Sequence, residues 1–228
     1  RFNLSAWTKA AARADGSVPG ARLLEDLVAL GVLVPAGFDE LGDRCWSFAH
    51  RTLLEYLAAR NLAELSADEW LEQVRGHFWF QPEWTEVLTF LAAIVPDATP
   101  LIIALDREED DIFGSMLELR AQLVGVARRV STARARRVAM QVFALTLEHH
   151  RTEILPARRL ERCVRALGYS FLGPLLEIVV KTHSGDLQRR DAVLAFGDLE
   201  PTQAVPALGD ALADDVSDFV RGAAAEAL

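Results

Sequence analysis

Apolar positions along the chain change period twice. Over residues 18–30, Leu23, Leu24, Leu27, Val28 and Leu30 recur at helical spacing, and Gly31 follows where a C-capping glycine belongs. Val32-Leu33-Val34 then reads as a short strand closed by Pro35, residues 36–44 as a Gly- and Asp-rich loop, and Cys45-Trp46-Ser47-Phe48 as the return strand. From His50 the helical period returns, with Leu53, Leu54, Leu57, Ala58, Leu62 and Leu65 on one face. Helix, hairpin, helix is the order of a small winged-helix module, which predicts a first domain over residues 1–66.

Beyond Ser66 the pattern is helical throughout. Trp70, Leu71 and Val74 mark a short helix, and Trp84–Val95 a second that Pro96 stops. Further helices are predicted over 100–106, 111–127, 133–149, 155–167, 171–182, 187–196, 203–213 and 216–228. Helices of about 12 residues joined by short turns predict stacked helical hairpins over residues 67–228. An internal repeat is clearest over 155–228. Arg189–Phe196 aligns with Arg221–Leu228 at an offset of 32 residues, pairing Arg189 with Arg221, Ala192 with Ala224 and Ala195 with Ala227. Cys163–Gly168 aligns with Ala192–Gly197. Small residues at these positions let neighbouring helices approach, and no single hairpin can bury its apolar face without the next. The fold class predicted is mainly α: a small winged-helix module with a β-hairpin, then an α-solenoid of helical hairpins.

Composition fits this reading. Of 228 residues, 51% are hydrophobic and 25% charged, which is the balance of a folded chain. Two cysteines, Cys45 and Cys163, supply neither a disulfide framework nor a multi-cysteine zinc site, and they fit a cytoplasmic setting. The most apolar stretch, Val87–Leu105, is interrupted by Pro96, Asp97 and Pro100, so no membrane span and no signal peptide is expected. The chain opens on Arg1 and closes inside a helical pattern, which reads as a piece of a longer protein.

Charge changes the picture more. The net charge is −9, but residues 120–165 carry +8 between flanks of −11 and −6. The acidic total makes nucleic acid an improbable partner, and the 1–66 segment, at −1, lacks the cationic excess a DNA-reading winged helix needs. The basic middle, Arg128, Arg129, Arg134, Arg136 and Arg137, is a candidate face for an acidic protein partner, or else a solvated helix surface.

Candidate chemistry is sparse. The acidic run Asp106–Asp111 lacks the spacing and glycine of a calcium loop and reads as a solvated inter-helix loop. His149 and His150 point about 100° apart on a helix and do not converge on a metal with Glu148 and Glu153. In Gly168-Tyr169-Ser170-Phe171-Leu172-Gly173 the second glycine is one residue too late for a nucleophile elbow. Cys163 reads as inert core, and Cys45 has no pattern around it that argues for a nucleophile. Trp79, Phe80 and Trp84 read as core aromatics with a ligand-stacking alternative. No catalytic residue, no metal site and no enzyme activity are predicted.

Two stretches carry a resemblance. Residues 187–228 look like short HEAT repeats of the phycobilisome-lyase-like type, through Val220-Arg221, Ala223-Ala224 and Ala227-Leu228. Residues 45–63 resemble the end of the NACHT module of STAND-type signalling NTPases: an aromatic strand, then Phe48-Ala49-His50, then Glu55-Tyr56-Leu57-Ala58-Ala59 on a helix. Trp84–Leu88 with Leu91 and Ala92 is similar to the helix that opens the sensor region of that family. The resemblance implies a regulatory and sensor part of a bacterial STAND NTPase, acting in signalling or antiphage defence through autoinhibition, sensing and oligomerisation. It implies that His50 contacts a phosphate of bound ADP, where an imidazole N–H can donate to a phosphate oxygen. The residues alone also allow His50 to cap the following helix or pack beside Trp46. No Gly-Lys pair occurs in the sequence, so a phosphate-cradling P-loop, with ATP or ADP and Mg, would belong to an upstream nucleotide-binding domain in cis. No cofactor is expected in this piece. The partners expected are proteins or other copies of the chain. The alternative is a HEAT-repeat scaffold with no nucleotide role.

Overall fold

A computed structural model describes residues 2–3, 20–79, 81–152, 157–182, 185–197, 199 and 201–228. The chain is mainly helical with a small antiparallel sheet. It divides into two compact units, Arg1–Ala58 and Ala59–Leu228. The division falls eight residues before the boundary expected at 66, inside a helix (Arg51–Ala63, α2) whose last turns, with buried Ala59 and Leu62, group with the helices that follow.

In the first unit, helix α1 (Gly20–Ala29) ends as its sequence predicts. Gly31 takes φ +70°, its N–H bonds the Val28 carbonyl at 3.0 Å, and the Val32 N–H bonds the Leu27 carbonyl at 2.9 Å. This is a Schellman closure, which favours a residue without Cβ at that φ. Strand β2 (Leu33–Phe38) pairs antiparallel with β3 (Arg44–Phe48), Leu33 opposite Phe48 and Val34 opposite Ser47. Contrary to expectation, Pro35 does not close β2. The sheet order places β1 (Phe2–Asn3) and β2 on its two edges, with β3 between. An edge strand tolerates the missing proline N–H, and an irregularity between Pro35 and Phe38 absorbs the mismatch. The true loop is shorter than expected. Its Asp39 carboxylate accepts the N–H groups of Leu41 (3.0 Å) and Asp43 (2.9 Å). Strand β1 had no signal in the pattern, since two residues cannot show a period.

The second unit is helical throughout. Helix α3 (Ala67–Val74) starts at a capping box in which the Glu69 carboxylate accepts from the Ser66 N–H (2.9 Å) and hydroxyl (2.7 Å). A single 3₁₀ turn (Arg75–His77) follows. Next come α4 (Pro82–Ile94), α5 (Thr99–Leu105), α6 (Ser115–Val126), α7 (Thr132–Thr152), α8 (Ala157–Thr182), α9 (Asp186–Gly197), α10 (Pro201–Asp214) and α11 (Asp218–Ala227). Helix α8 is two helices in series: Gly168, at φ +64° and ψ −174°, breaks it at the point expected between 155–167 and 171–182.

Packing follows a simple succession. Helix α6 packs on α8, α8 on α9, and α9 on α11, while α7 lies against α6 and α8, and α10 against α9 and α11. The core along this succession includes Leu123, Val142, Val164, Leu172, Leu176, Phe196, Leu208 and Val220, all essentially sealed from solvent. Two repeat-aligned alanines sit against glycines of a neighbouring helix. A Cβ on Gly125 would lie 1.9 Å from the Ala166 carbonyl oxygen, and one on Gly197 would lie 3.1 Å from the Ala227 Cβ. Ala166 and Ala227 are the aligned equivalents of Ala195.

Residues Arg158–Thr182 are long and apolar enough to cross a membrane by length and composition, with a mean hydropathy of 1.5 over the best window. The sequence pattern had singled out Val87–Leu105 instead. The break at Gly168 divides Arg158–Thr182 into two segments, each short of the ~20 residues a span requires. Leu160, Val164 and Leu167 on one side of the break and Leu172, Leu176 and Val179 on the other are buried in the helical unit.

The contact at Gly125 yields a prediction. Alanine in a helix interior is intrinsically favoured over glycine by about 1 kcal/mol. At position 125 the added methyl would meet backbone, which cannot yield as a flexible side chain can, so Gly125→Ala should lose ~1–3 kcal/mol of stability. Gly222→Ala, on α11 where an added Cβ meets nothing within 4 Å, should be neutral or stabilising. Urea unfolding of both variants checks the contrast.

Candidate functional site

The arginine-rich segment expected to form one basic face is divided by the fold. Arg134, itself partly exposed, pairs with Asp106, whose side chain is only 8% exposed. The same carboxylate meets Arg120, which is buried and also bonds Asp110 (3.2 Å) and the Met116 carbonyl (3.2 Å). Arg129 pairs with Asp97 at 2.8 Å, and its carbonyl accepts the Ala98 N–H at 2.9 Å, tying the start of α7 to the start of α5. The Thr99 hydroxyl and amide, and then Arg129, hold Asp97 below the ordinary carboxylate range. Arg134 thus compensates a buried carboxylate, whereas the Arg129–Asp97 pair is exposed and contributes little to stability. Arg128, Arg136 and Arg137 are exposed, and among the described residues no carboxylate meets them.

Arg128, Arg129 and Arg136 line a groove of about 490 Å³ formed by the end of α6, the start of α7 and the middle of α8. Its floor is apolar, with buried Val124, Ala135 and Ala139, and half-buried Phe171 and Leu175 line its side. Arg137, although on the same helix, does not line it.

The acidic run lies in an inter-helix loop, as expected, but several of its carboxylates are bonded rather than simply solvated. The Asp110 carboxylate accepts the N–H groups of Met116 (2.8 Å) and Leu117 (2.9 Å), and Asp111 accepts that of Ser115 (2.8 Å) and its hydroxyl (2.7 Å). Three first-turn donors of α6, which have no partner inside the helix, are thus satisfied by two carboxylates. Burial opposes ionisation of Asp111, but its bonds to Ser115 and Phe113 outweigh that and hold it below the ordinary range. Arg159 adds bonds to the Phe113 carbonyl and the Ser115 hydroxyl at 2.8 Å each, and with Arg162 it pairs with Glu118. The helical spacing of apolar residues carries no trace of this network. The Asp110-Asp111 pair, a few residues ahead of the helix start at Ser115, is the one signal that could have shown it.

A similar clamp recurs further on. Arg189, at the start of α9, grips Asp215 in the turn before α11 with two bonds, 2.9 and 3.0 Å, and both side chains are almost fully buried. The Ser217 N–H bonds the same carboxylate (2.9 Å), and Arg221 bonds the Asp215 carbonyl (2.7 Å). Arg189 and Arg221, paired by the sequence repeat, thus converge on one turn.

The other candidates disperse. His50 stands immediately before α2 with its side chain exposed, and its carbonyl accepts the Leu53 N–H at 3.2 Å. The Trp84 ring stacks on His77 with centroids 3.7 Å apart, and the Trp79 indole donates to Glu108 at 3.1 Å. Both tryptophans are half-buried rather than core, and Phe80 lies outside the described residues. Cys45 and Cys163 are buried, and burial pushes the Cys163 thiol up to about 12, which suits inert packing. The side chains of Glu148, His149 and His150, and all of Glu153, lie outside the described residues; among the others no three groups converge to hold a metal.

No protein family, no curated protein and no solved structure matches this chain.

The Arg189 clamp sets an acid limit. Its guanidinium, and then the Ser217 amide, hold Asp215 below the ordinary carboxylate range despite burial. A depressed folded-state value means the clamp contributes fully above about pH 4 and is lost as pH falls through that depressed value. Asp215→Asn should destabilise by ~2 kcal/mol at pH 7, because it removes the buried carboxylate that grips Arg189 and leaves it the exposed Asp186 carboxylate. The loss should shrink toward pH 2. Thermal melts of both proteins across that range check the convergence.

Proposed function

We propose that the chain is a regulatory and sensing part of a bacterial STAND-type NTPase. In this reading the first unit is the winged-helix end of a NACHT module. The helices after it are a HEAT-like α-solenoid that senses a protein partner or joins copies of the chain. Signalling or antiphage defence in the cytoplasm is the setting this reading gives it. The chain breaks no bond itself. ATP or ADP with Mg is held by a nucleotide-binding domain upstream in the parent protein.

The observation that carries the reading is the placement of His50. It stands exposed between the return strand of a β-hairpin and the helix bearing Glu55-Tyr56-Leu57-Ala58-Ala59. An exposed imidazole at a strand-to-helix junction is free to donate to a phosphate that another domain presents. Release of that contact on nucleotide exchange would bias a rigid-body switch. Glu55 supports a packing role for the neighbouring motif residue, since it is buried and bonded to Arg51 at 2.6 Å. The succession α6, α8, α9, α11, with small residues at its closest approaches, supports the solenoid part. A scaffold with no nucleotide role is the second reading. It is favoured by the arginine-lined groove, which needs no nucleotide to act.

Calorimetric titration of ADP into the full-length parent protein separates these readings. His50→Ala should weaken ADP binding about tenfold, the loss expected for one hydrogen bond to a charged group. Unchanged affinity would remove His50 from the mechanism. A parent that binds no ADP would leave the scaffold reading.

A further inference from the structure

The groove between α6, α7 and α8 combines three properties that the rest of the basic segment lacks. It has an apolar floor and side built from Val124, Ala139, Phe171 and Leu175. It has two exposed guanidinium groups on its rim, Arg128 and Arg136, which no carboxylate among the described residues neutralises. The neighbouring arginines that might have competed for the same ligand, Arg129 and Arg134, are already paired with Asp97 and Asp106. An apolar cleft flanked by two uncompensated cations is complementary to an apolar side chain flanked by carboxylates.

We infer that this groove docks an acidic peptide segment of a partner protein, with one large apolar residue inserted beside Phe171 and Leu175 and Asp or Glu residues meeting Arg128 and Arg136. The inference rests on the partner-sensing half of the reading above and not on its nucleotide half. Three considerations favour this occupant. The groove is open to solvent, whereas a small-molecule site usually buries most of its ligand. A nucleic acid would meet the repulsion of a chain carrying −9 overall. The same net charge opposes a second copy of this chain, while leaving local attraction for a short acidic segment. Arginine at the rim also suits bidentate pairing with carboxylates, and the apolar floor supplies the anchor that a rim charge cannot.

The test is a selection of random 12-residue peptides displayed on phage against the intact chain, followed by anisotropy titration of the enriched peptides. Enriched sequences should carry one aromatic or large aliphatic residue with Asp or Glu on either side. Their binding should weaken as salt rises. Arg128→Ala with Arg136→Ala should weaken binding at least tenfold, about the loss of one or two charge-assisted contacts. Arg136→Ala alone should also weaken binding, whereas Arg137→Ala, which removes one charge from the same helix outside the groove, should leave binding unchanged and so serves as the control for a general charge effect. Four results would overturn the proposal: no enrichment, enriched peptides lacking acidic residues, equal losses from Arg137→Ala and the double variant, or self-association in sedimentation that the double variant abolishes. The last would place a second copy in the groove. ADP affinity of the parent is read separately, so failure of the NTPase reading leaves the peptide result standing and failure of the groove leaves the ADP result standing.

Discussion

The carbonyl oxygen of Ala166 lies where a side chain at position 125 would have to be. This backbone-to-backbone approach of α6 and α8 governs how much apolar surface the helical unit can seal. With the two helices so close, Leu123 and Val124 on one and Val164 and Leu167 on the other become fully or nearly buried. The approach is echoed between α9 and α11 at Gly197 and Ala227. A larger residue at either place would separate the helices and open the layer between them, with a cost set by how far the site could collapse. In the proposed α-solenoid, each hairpin would bury its apolar face against the next, and stability would be set by nearest neighbours.

Arginine–carboxylate clamps fix the turns around this packed succession. Arg120 and Arg134 meet at Asp106, Arg159 and Arg162 at Glu118, and Arg189 and Arg221 at the turn holding Asp215. Planar, multivalent guanidinium groups suit this task, since one side chain reaches two carboxylates or a carboxylate and a carbonyl. Arg120, Arg134, Arg159 and Arg162 of the basic segment 120–165 are engaged in this way. Arg128, Arg136 and Arg137 stay exposed with no carboxylate against them among the described residues, and two of these border the groove. The proposed partner surface rests on which of these arginines the fold leaves without a carboxylate.

Legibility in the sequence tracked the range of each interaction. The Gly31 closure, the hairpin and the Gly168 break depend on a few consecutive residues, and each was readable from the period and its punctuation. The continuation of β2 past Pro35 was not, because whether proline ends a strand depends on the strand's place in the sheet. The engagement of the acidic loop was missed for a related reason. A window of like charges looks solvated until the helix start and the guanidinium of Arg120, ten residues beyond Asp110, are brought beside it. The basic face met the same limit. Five arginines within ten residues look equivalent along the chain, yet Arg134 faces Asp106, 28 residues earlier. The position of His50 was readable, and its proposed phosphate lies in another domain.

The layered account is tested most directly by hydrogen–deuterium exchange on Asp215→Ala. Releasing the clamp should accelerate exchange in α9, α10 and α11 while leaving α5 and α6 as protected as in the parent sequence. Acceleration spread evenly through α4 to α11 would contradict nearest-neighbour stacking and would show instead a single cooperative core.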